Sequence, residues 1–154
     1  MLTKFTALAM GVLLSVSAMA ADMATLTRQA QSGDAAAQSD LADEYYKQGN
    51  HAKAFEWYTN AAHQGFAEAQ NDLGWMYEKG LGVRQDDQRA VEWFTKAAHQ
   101  GHAQAQFNLG VMYDEGKGVR QNESTAKRYY GQACLDSNGM LGCDEYHELD
   151  QQGY

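Results

Sequence analysis

The sequence predicts an all-α fold, a solenoid of antiparallel helix pairs with about eight helices, and three observations carry that prediction. First, "EAQNDLGWMYEKGLGVRQD" from Glu68 to Asp86 returns thirty-six positions later as "QAQFNLGVMYDEGKGVRQN", Gln104 to Asn122. Between residues 65–100 and 101–136, about 15 of 36 aligned positions are identical. Second, the matches keep helical spacing: Ala69, Leu73, Met76 and Tyr77 recur as Ala105, Leu109, Met112 and Tyr113, the steps of one apolar helix face. Third, no segment alternates like a half-buried strand. Fifteen glycines and no proline point to helices ended by glycine caps.

Each element follows in order. "MLTKFTALAMGVLLSVSAMA", residues 1–20, reads as a signal peptide: Lys4 gives the positive start, Leu8 to Val16 the apolar run, and Ala18-Met19-Ala20 an A-x-A cleavage site. The run is too short to span a bilayer and no stop-transfer segment follows, so the expected localisation is periplasmic or secreted. Residues 21–32 read as an N-terminal capping half-repeat. A repeat domain over 33–154 comes next, with copies at 33–64, 65–100 and 101–136 and a C-terminal capping helix at about 140–151. The first copy places Ala37, Leu41 and Tyr45 on one helix and Ala54, Trp57, Tyr58 and Ala61 on the next. Its turn "QGNH" lacks the extra residues of "GLGVRQD".

In the later copies Gly80 and Gly116 can adopt the left-handed conformation that stops a helix, and Asp86 and Asn122 can cap the next one. That next helix carries Ala90, Trp93, Phe94 and Ala97, echoed by Ala126, Tyr129, Tyr130 and Ala133. Trp57 and Trp93 therefore belong with the packing residues. Gly74 and Gly110 sit on the apolar face, where a missing side chain lets a neighbouring helix approach. One pair cannot bury its apolar face alone. Stacking does so, at roughly 1.5–3 kcal/mol per large side chain.

The formal charge of -8 repels phosphate backbones and anionic lipid. It argues against nucleic acid and against membrane insertion after signal cleavage, and it suits a basic protein or peptide ligand. Two cysteines, Cys134 and Cys143, make a disulfide the first expectation for an exported chain. The pair sits nine residues apart around a helical corner, a reach a bridge can cross if "LDSNGMLG" folds tightly. The competing metal reading adds His147, four residues beyond Cys143, yet zinc needs a further ligand or an open position that nothing supplies.

Other motifs carry less. "STAK", Ser124 to Lys127, matches the S-x-x-K of penicillin-binding enzymes, but S-D-N and K-T-G are absent and Ser124 falls where hydroxyls cap helices. "GLGVRQ" follows a helix rather than a strand and lacks G-K-[ST], so it is no phosphate loop. His99 and His102 straddle a turn and read as solvated. No catalytic residue, metal or cofactor is expected.

These residues carry a resemblance. "AEAQNDLGWMYEKGLGVRQDDQRAVEWFTKAAHQG" resembles a Sel-1-like repeat, the 36-residue relative of the tetratricopeptide repeat, and the likeness runs from Gly33 to about Gln151. The first copy, with its short turn, is closer to the plain tetratricopeptide form. The resemblance implies a right-handed superhelical solenoid whose first helices line a concave groove, and hence an interaction scaffold. The secreted cysteine-containing branch is similar, with a hairpin bridge of nearly this spacing, and some of its members are associated with β-lactam binding.

Mapped through the repeats, the groove takes Ala36, Ser39, Asp43 and Tyr46 from the first copy. Glu68, Asn71, Trp75 and Glu78 come from the second, and Gln104, Phe107, Val111 and Asp114 from the third. Tyr46, Trp75, Phe107 and Val111 would form an aromatic-apolar centre inside a carboxylate rim, or Trp75 and Phe107 would merely pack on each other. The expected function is a non-catalytic envelope adaptor or regulator. An immunity-type inhibitor of a toxic exported enzyme is the alternative, and a weak β-lactam-directed enzyme is third.

Overall fold

The computed structural model describes residues 22–154, so the signal-peptide expectation lies outside the described residues. Among those residues the chain forms eight helices and no strand. Helix α1 spans 22–31. It is followed by α2 (Ala35–Lys47), α3 (His51–His63), α4 (Ala67–Lys79), α5 (Asp87–Ala98), α6 (Ala103–Glu115), α7 (Glu123–Asp136) and α8 (Cys143–Gln151). The hairpins α2–α3, α4–α5 and α6–α7 are the repeats, and each packs on the next through α3 on α4 and α5 on α6. Helix α8 closes the array against α7.

Local chemistry sets the ends. Asp34, Asn50, Asp86 and Asn122 each accept the amide of the residue three positions on, which satisfies a donor the first helical turn leaves free. Gly80 and Gly116 end α4 and α6 at φ +67° and +69°, as the repeat predicts.

Leu73, Leu109, Met76, Met112 and Phe94 are fully buried along one spine, and Leu41 is fully buried in a smaller cluster with Ala30 and Ala37. The glycines on that spine admit a ring. A Cβ on Gly74 would stand 2.8 Å from Phe94 Cδ1, and one on Gly110 would stand 2.5 Å from Tyr130 Cδ1. The expected close approach is made by an aromatic side chain of the paired helix and, at Gly74, also by its backbone, with the Ala90 carbonyl oxygen at 3.2 Å.

A second, polar thread joins the repeats. Gln38, Gln70 and Gln106 are buried, and their Nε2 groups donate to the carbonyls of Ala30, Ala62 and Ala98 at 3.0, 3.1 and 3.3 Å. Those carbonyls lie in the last turn of the preceding helix, where intrahelical partners run out. Gln64 and Gln100 extend the thread by donating to Gln38 Oε1 and Gln70 Oε1 at 2.7 and 2.8 Å.

Candidate functional site

The first helices α2, α4 and α6 meet at a pocket of about 410 Å3. From α2 come Asp43 and Tyr46, from α4 Asn71, Asp72, Trp75 and Met76, and from α6 Gln104 and Asn108. Tyr58 of α3 completes the wall. Its ring is buried with the core cluster, yet its hydroxyl donates to Asp43 Oδ1. The equivalent residues of the next repeats are Phe94, which has no hydroxyl, and Tyr130.

Tyr46 and Trp75 meet edge to face, with centroids 5.7 Å apart. Opposite them an amide chain runs toward a carboxylate. Gln104 Nε2 donates to Asn108 Oδ1 at 3.2 Å, Asn108 Nδ2 to Asn71 Oδ1 at 3.0 Å, and Asn71 Nδ2 to Asp72 Oδ1 at 3.1 Å. Burial pushes the Asp72 carboxyl up to about 7, and the like charges of Asp43 and Glu68 add to that, while the Asn71 hydrogen bond works against it. Burial, then the bond to Asp43 and the charge of Asp72, push the Tyr58 phenol well above its ordinary range, so it stays a donor.

The raised Asp72 pKa has a consequence for stability. A carboxyl whose folded pKa exceeds its unfolded value holds more protons folded, so stability falls as pH climbs from about 4 to about 7 and is level above that. Asn108 holds the same register one repeat on, so an amide fits there. Asp72→Asn is expected to stabilise the protein by on the order of 2 kcal/mol at pH 8 and to remove much of that slope. Thermal melts from pH 4 to 8 check this, and a variant that melts below wild type at pH 8 contradicts it.

The structure disperses the sequence-mapped groove residues. Asp43, Tyr46, Asn71, Trp75 and Gln104 line this pocket together. Ser39 is buried instead, and Ala36 and Glu68 are exposed outside it. Glu78 pairs with Lys79 at 2.8 Å. Phe107 and Val111 turn toward the C-terminal end, where they pack on the cluster of Ala126, Tyr130 and Leu149, and the Phe107 and Tyr130 rings lie 5.5 Å apart. Asp114 sits there too, beside Glu123, Tyr130, Glu145 and Glu148. Trp75 and Phe107 thus find different partners and do not pack on each other. Sequence reasoning missed Tyr58, Asp72 and Asn108. The available signal was a polar residue recurring immediately before Leu73 and Leu109.

The Sel1 repeat family model matches three consecutive segments, residues 35–66, 67–102 and 103–138, which together span most of the chain. The chain belongs to the Sel1 repeat family. The matched phase lies two residues later than the 33–64, 65–100 and 101–136 boundaries drawn from the sequence.

Among solved structures, this Sel1 chain is similar to a Sel1 repeat protein from Oxalobacter formigenes at 34% identity and a TM-score of 0.71, covering 84% of this chain and 98% of that one. It is also similar to a protective antigen present in uropathogenic Escherichia coli strains that displays an SLR fold. There the identity is 32% and the TM-score 0.69, over 86% of this chain but only 33% of the antigen. Cysteine-rich protein B of Helicobacter pylori shares the fold at 24% identity and a TM-score of 0.60, over 74% of this chain and 90% of its own. No curated protein matches the chain. Sel1 repeat proteins are generally non-catalytic protein-interaction scaffolds.

The remaining motifs resolve against this Sel1 frame. Cys134 of α7 and Cys143 at the start of α8 are joined in a disulfide, with Cα atoms 4.9 Å apart. Lys127 Nζ donates to Asp150 Oδ1 at 2.6 Å and to the Tyr154 carbonyl at 2.5 Å, so it is engaged by the C-terminal end, while Ser124 is exposed. His102 Nδ1 accepts the Ala105 amide at 3.3 Å and caps α6. No helix among the described residues is long and apolar enough to cross a membrane.

Proposed function

We propose that this Sel1 repeat protein is a non-catalytic adaptor of the cell envelope that holds a segment of a protein partner in the pocket between α2, α4 and α6. One observation carries the reading. Side chains from the first helices of all three repeats converge there, and Tyr46 and Trp75 keep part of their surface exposed instead of disappearing into the spine. Aromatic anchors of that kind dominate binding energy in protein interfaces. The disulfide fits an oxidising compartment, in keeping with the exported start of the sequence.

Trp75→Ala removes the largest anchor from a half-buried position at the edge of the core cluster and leaves every fully buried spine residue in place. It is expected to cut recovery of the partner from envelope extract by about tenfold or more, the loss of a hot-spot residue, while circular dichroism stays unchanged. Equal recovery by wild type and variant sinks the groove assignment and leaves the fold intact.

A further inference from the structure

The pocket between α2, α4 and α6 presents the carboxylates of Asp43 and Asp72 and the rings of Tyr46 and Trp75, with no cation among the described residues of its wall. Five rings elsewhere carry a cation: Lys53 over Tyr45, Arg89 over Tyr77, Lys96 over Trp93, Lys127 over Tyr146 and Arg128 over Tyr129, at 3.8–5.6 Å from the ring centroids. Five carboxylates elsewhere, Glu44, Glu78, Asp86, Glu115 and Asp150, each meet a Lys or Arg. Neither arrangement is found at the pocket. Among the described residues no Lys, Arg or His lines it, no Lys or Arg lies over Tyr46 or Trp75, and neither Asp43 nor Asp72 enters a salt bridge. The His51 ring stands 5.0 Å from that of Tyr46, outside the pocket lining.

Two carboxylates without a salt-bridge partner, beside two rings that no Lys or Arg covers, form the negative half of a recognition site. Building on the adaptor reading above, we infer that the pocket receives one arginine side chain of the partner, its guanidinium held by Asp43 and Asp72 and covered by Trp75 and Tyr46. Arginine fits better than lysine for three reasons. The acceptors are split between carboxylates on two helices, which a planar fork of five donors spans more widely than a compact ammonium. A planar, weakly hydrated guanidinium stacks on aromatic faces. The volume of about 410 Å3 leaves room for the aliphatic stem and its flanking backbone, with Met76 in the wall.

Proton release accompanies capture. The groups facing Asp72 are Asp43 from α2, Tyr58 from α3, Asn71 and Glu68 from its own helix and Asn108 from α6, none of them cationic. With its carboxyl pushed up to about 7, Asp72 is protonated in a large fraction of molecules at neutral pH, and an entering guanidinium favours the ionised form. Affinity therefore rises with pH through 7.

The test is calorimetric titration of the whole exported protein with the blocked pentapeptide Ac-Gly-Gly-Arg-Gly-Gly-NH2 and with its citrulline counterpart, which keeps the shape and loses the charge. Binding of the arginine peptide alone is expected, roughly tenfold tighter at pH 8 than at pH 5.5, and lost in Asp43→Asn/Asp72→Asn. Equal binding of the citrulline peptide, or binding that survives the double substitution, overturns the inference. No arginine-peptide binding, with partner recovery still dependent on Trp75, overturns it too and leaves the adaptor reading standing. Recovery independent of Trp75 removes both.

Discussion

Gly82→Ala is expected to destabilise the protein by roughly 3 kcal/mol, the joint effect of a left-handed backbone penalty and an overpacked contact. Gly82 has φ +68°, and a Cβ there would stand 2.2 Å from the carbonyl oxygen of His51 and 2.9 Å from the Ala52 amide nitrogen. Those atoms are backbone at the start of α3, so no side chain can swing aside. The same relation recurs one repeat on, where a Cβ on Gly118 would meet the Asp87 carbonyl oxygen at 2.3 Å at the start of α5.

Each long loop therefore docks on the second helix of the repeat before it. In a solenoid such contacts are the coupling between neighbouring units, so their loss lowers cooperativity as well as stability. Gly80→Ala is the control. Its φ is also positive, at +67°, but its Cβ would meet only Gln85, at 3.3 Å, and the expected loss is about 1–2 kcal/mol. Urea unfolding of both variants separates the two effects, since the difference between them isolates the docking term. Equal midpoints would mean the loop does not brace α3.

That bracing marks the limit of what the sequence could be made to say. Leu73, Leu109, Met76 and Met112 were readable as spine because apolar residues at helical spacing have one place to go, and each is at most 1% exposed. Gln38, Gln70 and Gln106 recur just as strictly. Their burial was not legible, because it depends on a carbonyl of the preceding helix that periodicity does not reveal.

The groove was half legible for a related reason. Carrying positions through the repeat assumes that every first helix has the same neighbours. That assumption serves Asp43, Tyr46, Asn71 and Trp75, whose helices have a repeat on the C-terminal side. It fails at Phe107 and Val111, because the third repeat is followed by the short α8, whose Leu149 and Tyr146 draw those side chains into a terminal cluster. Tyr58 escaped because register assigns a residue to one surface. Its ring packs in the core while its hydroxyl, one bond further out, lines the pocket.

The terminal cluster also sets the second large effect, on opening the Cys134–Cys143 bridge. Helix α8 has nine residues, too few to be stable alone in water. It is reached through a turn with left-handed residues at Asn138, Gly139 and Gly142, where Ser137 Oγ accepts the Met140 and Leu141 amides at 3.1 and 2.9 Å. Leu149 in the cluster, Tyr146 against Gly131 and the Lys127–Asp150 ion pair hold it from the other side. A bridge spanning nine positions removes loop entropy from the unfolded chain worth roughly 2.5–3 kcal/mol.

Reduction, or Cys134→Ser/Cys143→Ser, is accordingly expected to lower Tm by about 8–12 °C for a domain of this size. Helicity at 25 °C should survive, because α2 to α6 share a core cluster that does not include α8. Hydrogen exchange should quicken first in α8, then at Phe107 and Tyr130 as their cover is lost, and last in α4. Free thiols in the native protein, or a Tm within a degree of the oxidised form, would show instead that packing on α7 alone fixes α8. If only α8 loosens, the pocket between α2, α4 and α6 keeps its shape, and reduced protein still recovers its partner through Trp75.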